Sequence, residues 1–215
     1  MAMMRILSTI VLLSSARPYH RPLPLLVSAT ACFSSQSNNE NSHLLNNMPR
    51  RPTNAVVPKE GQESVWDYPR PPRLEAVPEQ LRVILNNETI ADTTNAFRVL
   101  ETSHPPTYYI PTSDIRMEFL KPVPAKSSYC EWKGSAVYYH VQVGNRVARN
   151  AAWAYPQPTA GFRDIAGYVS FYANHMDACF VGDEPVQPQE GDFYGGWITS
   201  KVVGPFKGGA GTWGW

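Results

Sequence analysis

The chain has 215 residues, 43% hydrophobic and 17% charged, which is room for one ordinary domain with extensions and a packed core. A formal charge of +1, with no long Lys/Arg run, excludes the broad basic footprint of a nucleic-acid binder; the densest local patch considered is Arg70 to Arg73. Twenty Pro and fourteen Gly argue for a turn-rich β protein over a helical one, and the three Cys (Cys32, Cys130, Cys179) include no C-x-x-C pair of the kind that builds a structural zinc site.

Residues 1–47 read as a targeting leader and linker outside the fold. Arg5, Arg17, His20 and Arg21 stand among Ser, Thr, Leu and Ala, and the first acidic residue is Glu40. That basic, acid-poor style suits an organelle transit peptide, with the mitochondrion as the expected destination and the plastid as the alternative. Ile6 to Leu13 with Ser14-Ser15-Ala16 supports a competing secretory reading, and the run is too short for a permanent membrane span. The Asn/Ser-rich piece from Ser34 to Asn47 is the linker, and Met48 is an alternative start.

Residues 48–80 are expected as an extended, Pro-rich strap, because each proline biases its predecessor to β or polyproline II, with Trp66 and Tyr68 laid against the body. The β domain is expected over residues 81–184. Leu81 to Leu85 predicts a strand, Asn86-Asn87 a turn, and Thr89 to Asp92 its partner. In the next strand Phe97, Val99 and Glu101 share one face, and Arg98 and Leu100 the other. Thr107 to Pro111 is a short strand, Ser113-Asp114 caps one helical turn, and Pro122 and Pro124 predict a loop.

Ser127 to Gly134 then places a thiol, an indole, a carboxylate and an amine just before a long alternating strand, Ser135 to Val143. The β-branched set of Val137, Val141 and Val143, with Tyr139, reads as its core face, so Tyr138 and His140 face a wetter side. Gly144-Asn145 turns the chain into a second strand through Ala151 to Tyr155. A short helix near Phe162 to Gly167 and two strands, Tyr168 to Tyr172 and Ala178 to Val181, follow. Residues 185–215 carry Trp197, Trp213 and Trp215 among Gly and Pro, and read as a packed C-terminal wrap.

Ser64 to Pro72, Val99 to Tyr109, Cys130-Glu131-Trp132-Lys133-Gly134, Ala151-Ala152-Trp153-Ala154-Tyr155-Pro156 and Phe193 to Trp197 together resemble the family called domain of unknown function 427, over about residue 61 to the end. The resemblance implies a small β-tent domain, an architecture shared with methionine-R-sulfoxide reductases and the ligand-binding domain of cereblon. It implies no reaction. The zinc-binding Cys pairs of other β-tent proteins are missing here, so no metal and no cofactor is expected. The expected fold is therefore mainly β, a single antiparallel β-tent-like domain with short helical turns.

Three groups of residues carry candidate chemistry. Cys130, with Lys133 near it to favour a thiolate, is a candidate nucleophile for a redox or transfer enzyme; the plainer reading is a small buried hydrophobe. Cys130 and Cys179 are expected as two thiols, with a bridge between them the open alternative. Glu101 and His104 at a strand end are a candidate acid–base pair. Tyr109, Trp132, Tyr138, Trp153 and Tyr155, with Arg98 and Lys133, are candidates to line an aromatic and polar pocket between sheets for a flat or cationic small molecule. Glu131 and Lys133 flank Trp132, which predicts that both project away from it. Gly204 to Gly211 lacks the order of a phosphate-binding loop. The leading expectation is a small-molecule binder, with a Cys-dependent enzyme and a protein-interaction module as alternatives. The expected partner is an unknown small molecule, not nucleic acid and not membrane.

Overall fold

Alternating apolar residues and Gly/Asn/Pro turns build an almost wholly β architecture, seen in a computed structural model that describes residues 50–215. The leader read over residues 1–47, its linker and Met48 lie outside the described residues. In chain order the strands are β1 (Glu63–Ser64), β2 (Arg73–Val77), β3 (Leu81–Leu85), β4 (Glu88–Thr93), β5 (Ala96–Leu100), β6 (Thr107–Pro111), β7 (Leu120–Cys130) and β8 (Gly134–Val143). They continue as β9 (Arg146–Ala154), β10 (Tyr168–Phe171), β11 (Ala178–Val181), β12 (Glu184–Pro185), β13 (Gln187–Pro188), β14 (Trp197–Ile198) and β15 (Val202–Val203). Helical structure among the described residues is short 3-10 turns, including Val65–Asp67, Thr112–Asp114 and Ala160–Ile165.

Two open antiparallel sheets dominate. The larger has the order β2-β5-β6-β10-β9-β8-β7, and the smaller β12-β11-β3-β4. The turn at Asn86-Asn87 forms as expected: both residues have positive φ, 52° and 61°, which asparagine tolerates best after glycine, and β3 pairs with β4 across it. Leu81, Val83 and Leu85 alternate inward and are fully buried. Together with Ile90 they meet Tyr108, Ile110, Val141, Ala152, Val169 and Phe171 of the larger sheet, which forms the main core. The alternate positions of the large-sheet strands point to the opposite face, so Val99, Tyr109, Ala136, Tyr138 and Trp153 make a second cluster.

Three features depart from the sequence reading. Arg73–Val77 of the expected strap is a strand, paired with β5 from Arg73↔Leu100 to Val77↔Ala96. Pro122 and Pro124 do not make a loop but lie within β7. Proline is tolerated there because β7 is the edge of its sheet and the ladder is interrupted between Pro122 and Ser127. Finally, the aromatic cluster lies on the outer face of the larger sheet, not between the two sheets. The inter-sheet space is filled by the aliphatic set.

Elsewhere in residues 50–72 the chain makes β1 and the 3-10 turn Val65–Asp67. Trp66 and Tyr68 are buried, and the Trp66 indole N–H donates to the Pro205 carbonyl at 2.9 Å. Trp215 meets Trp66 edge-on at 5.2 Å between ring centres. The tail is held more firmly by Trp197, which is 1% exposed, donates its indole N–H to the Phe171 carbonyl at 3.0 Å and packs on Tyr108. Among the described residues no helix is long and apolar enough to cross a membrane.

Candidate functional site

On the outer face of the larger sheet, side chains from β5 to β7 converge on one cleft of about 530 Å³. Its floor comes from the strands. Tyr138 of β8 stands directly opposite Trp153 of β9, and Tyr109 of β6 meets that indole edge-on at 6.5 Å. Tyr172, just after β10, packs on Trp153 at 4.4 Å. One wall is the turn Glu131-Trp132-Lys133 between β7 and β8. Gly134 closes that turn at φ 95°, a conformation side chains resist, and Thr159 pins it with two bonds, from its hydroxyl to the Trp132 carbonyl (2.5 Å) and from its N–H to the Lys133 carbonyl (3.2 Å).

The opposite wall and roof come from outside the central strands: Arg70 and the C-terminal residues Gln189, Phe193, Tyr194, Gly195 and Lys207. Gln189 sews this roof together. Its side-chain amide donates to the Lys207 carbonyl at 2.6 Å and its oxygen accepts from the Gly196 N–H at 3.0 Å.

Nine of the ten residues singled out from the sequence line this cleft: Glu101, His104, Tyr109, Cys130, Trp132, Lys133, Tyr138, Trp153 and Tyr155. Arg98 does not. It projects from the other face of β5, bidentate to the two oxygens of Glu63 and donating from Nε and Nη2 to one oxygen of Glu75 at 3.1 and 2.8 Å, and so ties the first strands together. The alternation of β5 accounts for this, since Val99 faces the aromatic cluster and Arg98 cannot. Lys133 also departs from expectation. Strand alternation does not run through a turn, so Lys133 and Trp132 line the same cavity and Lys133 is only 8% exposed.

Sequence reasoning missed Arg70, Tyr172, Gln189, Phe193, Tyr194 and Lys207. The usable signal for the roof was Gly195-Gly196. A Cβ on Gly195 would sit 2.2 Å from a Trp153 ring carbon, so the chain crosses that indole at a distance only glycine permits.

The polar groups of the cleft are unevenly satisfied. Arg70 pairs with Glu101 at 2.6 Å. Tyr138 and Ser128 share a hydrogen bond of 2.7 Å, and the Tyr172 hydroxyl donates to the Phe193 carbonyl at 3.2 Å. The Tyr109 hydroxyl is buried without a hydrogen-bond partner. Burial pushes the Tyr109 and Tyr155 phenols far above the ordinary range, so both are held as neutral O–H groups. The Lys207 amine is lowered by burial and by the neighbouring Arg70 charge, and donates to the Trp215 carbonyl at 2.5 Å. The two cysteines among the described residues are unbridged: Cys130 stands in the cleft wall, while Cys179 is buried in the main core, where burial pushes its thiol up. No three His, Cys, Asp or Glu side chains converge as a metal-ligand set among the described residues.

His104 carries a pH signature. Its Nδ1 lies 3.0 Å from the Thr102 carbonyl, which fixes that nitrogen as the protonated donor, and Tyr194 packs on the ring edge. Burial lowers its pKa, outweighing the opposing pull of Glu101 and of the Thr102 bond. The unfolded chain therefore takes up this proton first as pH falls. His104 contributes full stability above about pH 6.5, and the contribution is lost as pH drops through that value toward the lower folded pKa. The depressed carboxylates Glu79 and Asp114 act in a separate window, because their contribution is lost only below their ordinary carboxylate range. In urea denaturation between about pH 8 and 5, His104→Gln is expected to flatten the slope that begins near 6.5. An unchanged slope would reject the assignment.

A search of curated proteins found no match. The family model described as a domain of unknown function, number 427, matches residues 73–182, from β2 to the turn after β11. That span is narrower than the sequence resemblance suggested. It includes the cleft floor and the Trp132 turn, and it leaves out the strap and the C-terminal roof. Because the match takes in just over half of the chain, the protein belongs to the domain of unknown function 427 family.

Proposed function

We propose that the protein binds a small, flat organic molecule in the cleft beside Trp132 and Trp153. The observation that carries this reading is the combination of an aromatic lining with polar groups that the protein leaves unspent, above all the buried Tyr109 hydroxyl. An unpaired buried hydroxyl costs about 1–3 kcal/mol, a cost that a bound ligand with an acceptor relieves. The volume of about 530 Å³ falls in the range of small-molecule sites. Stacking on Trp132, Trp153 and Tyr155 favours a planar ring system.

The interaction-module alternative is weaker, since Trp197 is consumed in the core. Soaking crystals with a library of mono- and bicyclic aromatic fragments tests the binding reading. Density is expected between Trp132 and Trp153. Fragments bound only elsewhere on the molecule, or the Phe193-Tyr194 segment collapsed into the cleft, would overturn it.

A further inference from the structure

Three cationic side chains line the cleft, and two of them are already committed. Arg70 is paired with Glu101, and Lys207 donates to the Trp215 carbonyl. Lys133 is different. It is 8% exposed, and no ion pair among the described residues engages its Nζ. It lies over the rings of Tyr155 and Phe162, at 5.8 and 5.7 Å, the outer reach of cation–π contact. The adjacent carboxylate, Glu131, is exposed and makes no pair with it. The stem of Lys133 is covered while its ammonium, not among the buried polar atoms, faces the cleft with no fixed counter-ion and is free to meet an anionic guest.

From this, and resting on the binding reading above, we infer that the ligand is an aromatic carboxylate whose anionic group pairs with Lys133. Tyr109 lines the same cavity, and its buried, unpartnered hydroxyl is the neutral donor closest to hand in the lining aromatics. A carboxylate has lone pairs enough to accept from an ammonium and a phenol together. Lys133 also argues against a cationic guest: of the two carboxylates in the lining, Glu101 is held by Arg70 and Glu131 is exposed at the wall beside Lys133 itself.

Matched triads test the inference on the full chain by saturation-transfer NMR: naphthalene-2-carboxylate, naphthalene-2-carboxamide and naphthalen-2-ylmethylammonium, with the corresponding benzene series. The acids are expected to bind best. Their affinity should fall at least about tenfold in Lys133→Met and be retained in Lys133→Arg, as for loss of one charge-assisted hydrogen bond. Amides or amines that bind as well as the acids would overturn the carboxylate assignment and leave the cleft as a binding site. If no member of any triad binds, both readings fall. Should Lys133→Met fail to fold, the comparison within each triad on the unaltered protein still decides.

Discussion

Replacing Trp197 with alanine is expected to lower the unfolding free energy by about 3–5 kcal/mol, the range for removing a fully buried indole. Trp197 is 1% exposed and packs at 5.1 Å on Tyr108. Its indole N–H satisfies the Phe171 carbonyl, and its backbone N–H donates to Pro106 at 2.9 Å. The substitution empties the ring's space and orphans a buried carbonyl of β10. For a chain of this size that corresponds to a fall in Tm of roughly 10 °C. Trp197→Phe separates the two losses. It keeps most of the ring and gives up the N–H, so it should cost about 1–3 kcal/mol. Circular-dichroism melts of the two variants check both values. If both melt like the parent protein, the tail is an appendage and not part of the core.

Alternation in Leu81 to Leu85, the Asn86-Asn87 turn and the Gly144-Asn145 turn each specify local backbone strongly, so those hairpins were legible. Pro122 and Pro124 misled because proline forbids a central strand, whereas edge position is a property of the whole sheet, set by which strand ends the ladder. Arg73–Val77 was missed for a related reason. Its partner is not the next strand but β5, beyond the β3–β4 hairpin, and the neighbouring prolines spoke for an extended strap.

The site was legible wherever it falls on the hairpin motifs. Aromatic residues at alternate strand positions share a face, and that face is the cleft floor. Arg98 was placed in the pocket against the same alternation that put it on the opposite face. Lys133 was directed away from Trp132 by a strand rule that stops at a turn. Of the roof only Gly195-Gly196 left a signal, because Gln189, Tyr194 and Lys207 reach the cleft through tertiary packing that no local period encodes.

Gly195→Ala is expected to weaken ligand binding at least about tenfold while costing about 1–3 kcal/mol of stability, the usual range for overpacking. The added Cβ would lie 2.2, 2.7 and 3.3 Å from three carbons of the Trp153 ring. That ring has little freedom. It is 6% exposed, stands opposite Tyr138, and is packed by Tyr109 and Tyr172. The roof is the softer partner, since Phe193 beside it is 65% exposed. The clash should therefore lift the Phe193 to Gly195 segment off the indole, widening the cleft and removing one side of the stacking surface. Gly161→Ala serves as the control, because its Cβ would meet nothing within 4 Å and should change stability by less than about 0.5 kcal/mol. Urea denaturation and fragment titration of the two variants give the comparison. If Gly195→Ala matches Gly161→Ala in both, the close crossing over Trp153 does not set the roof, and the cleft owes its shape to the strands alone.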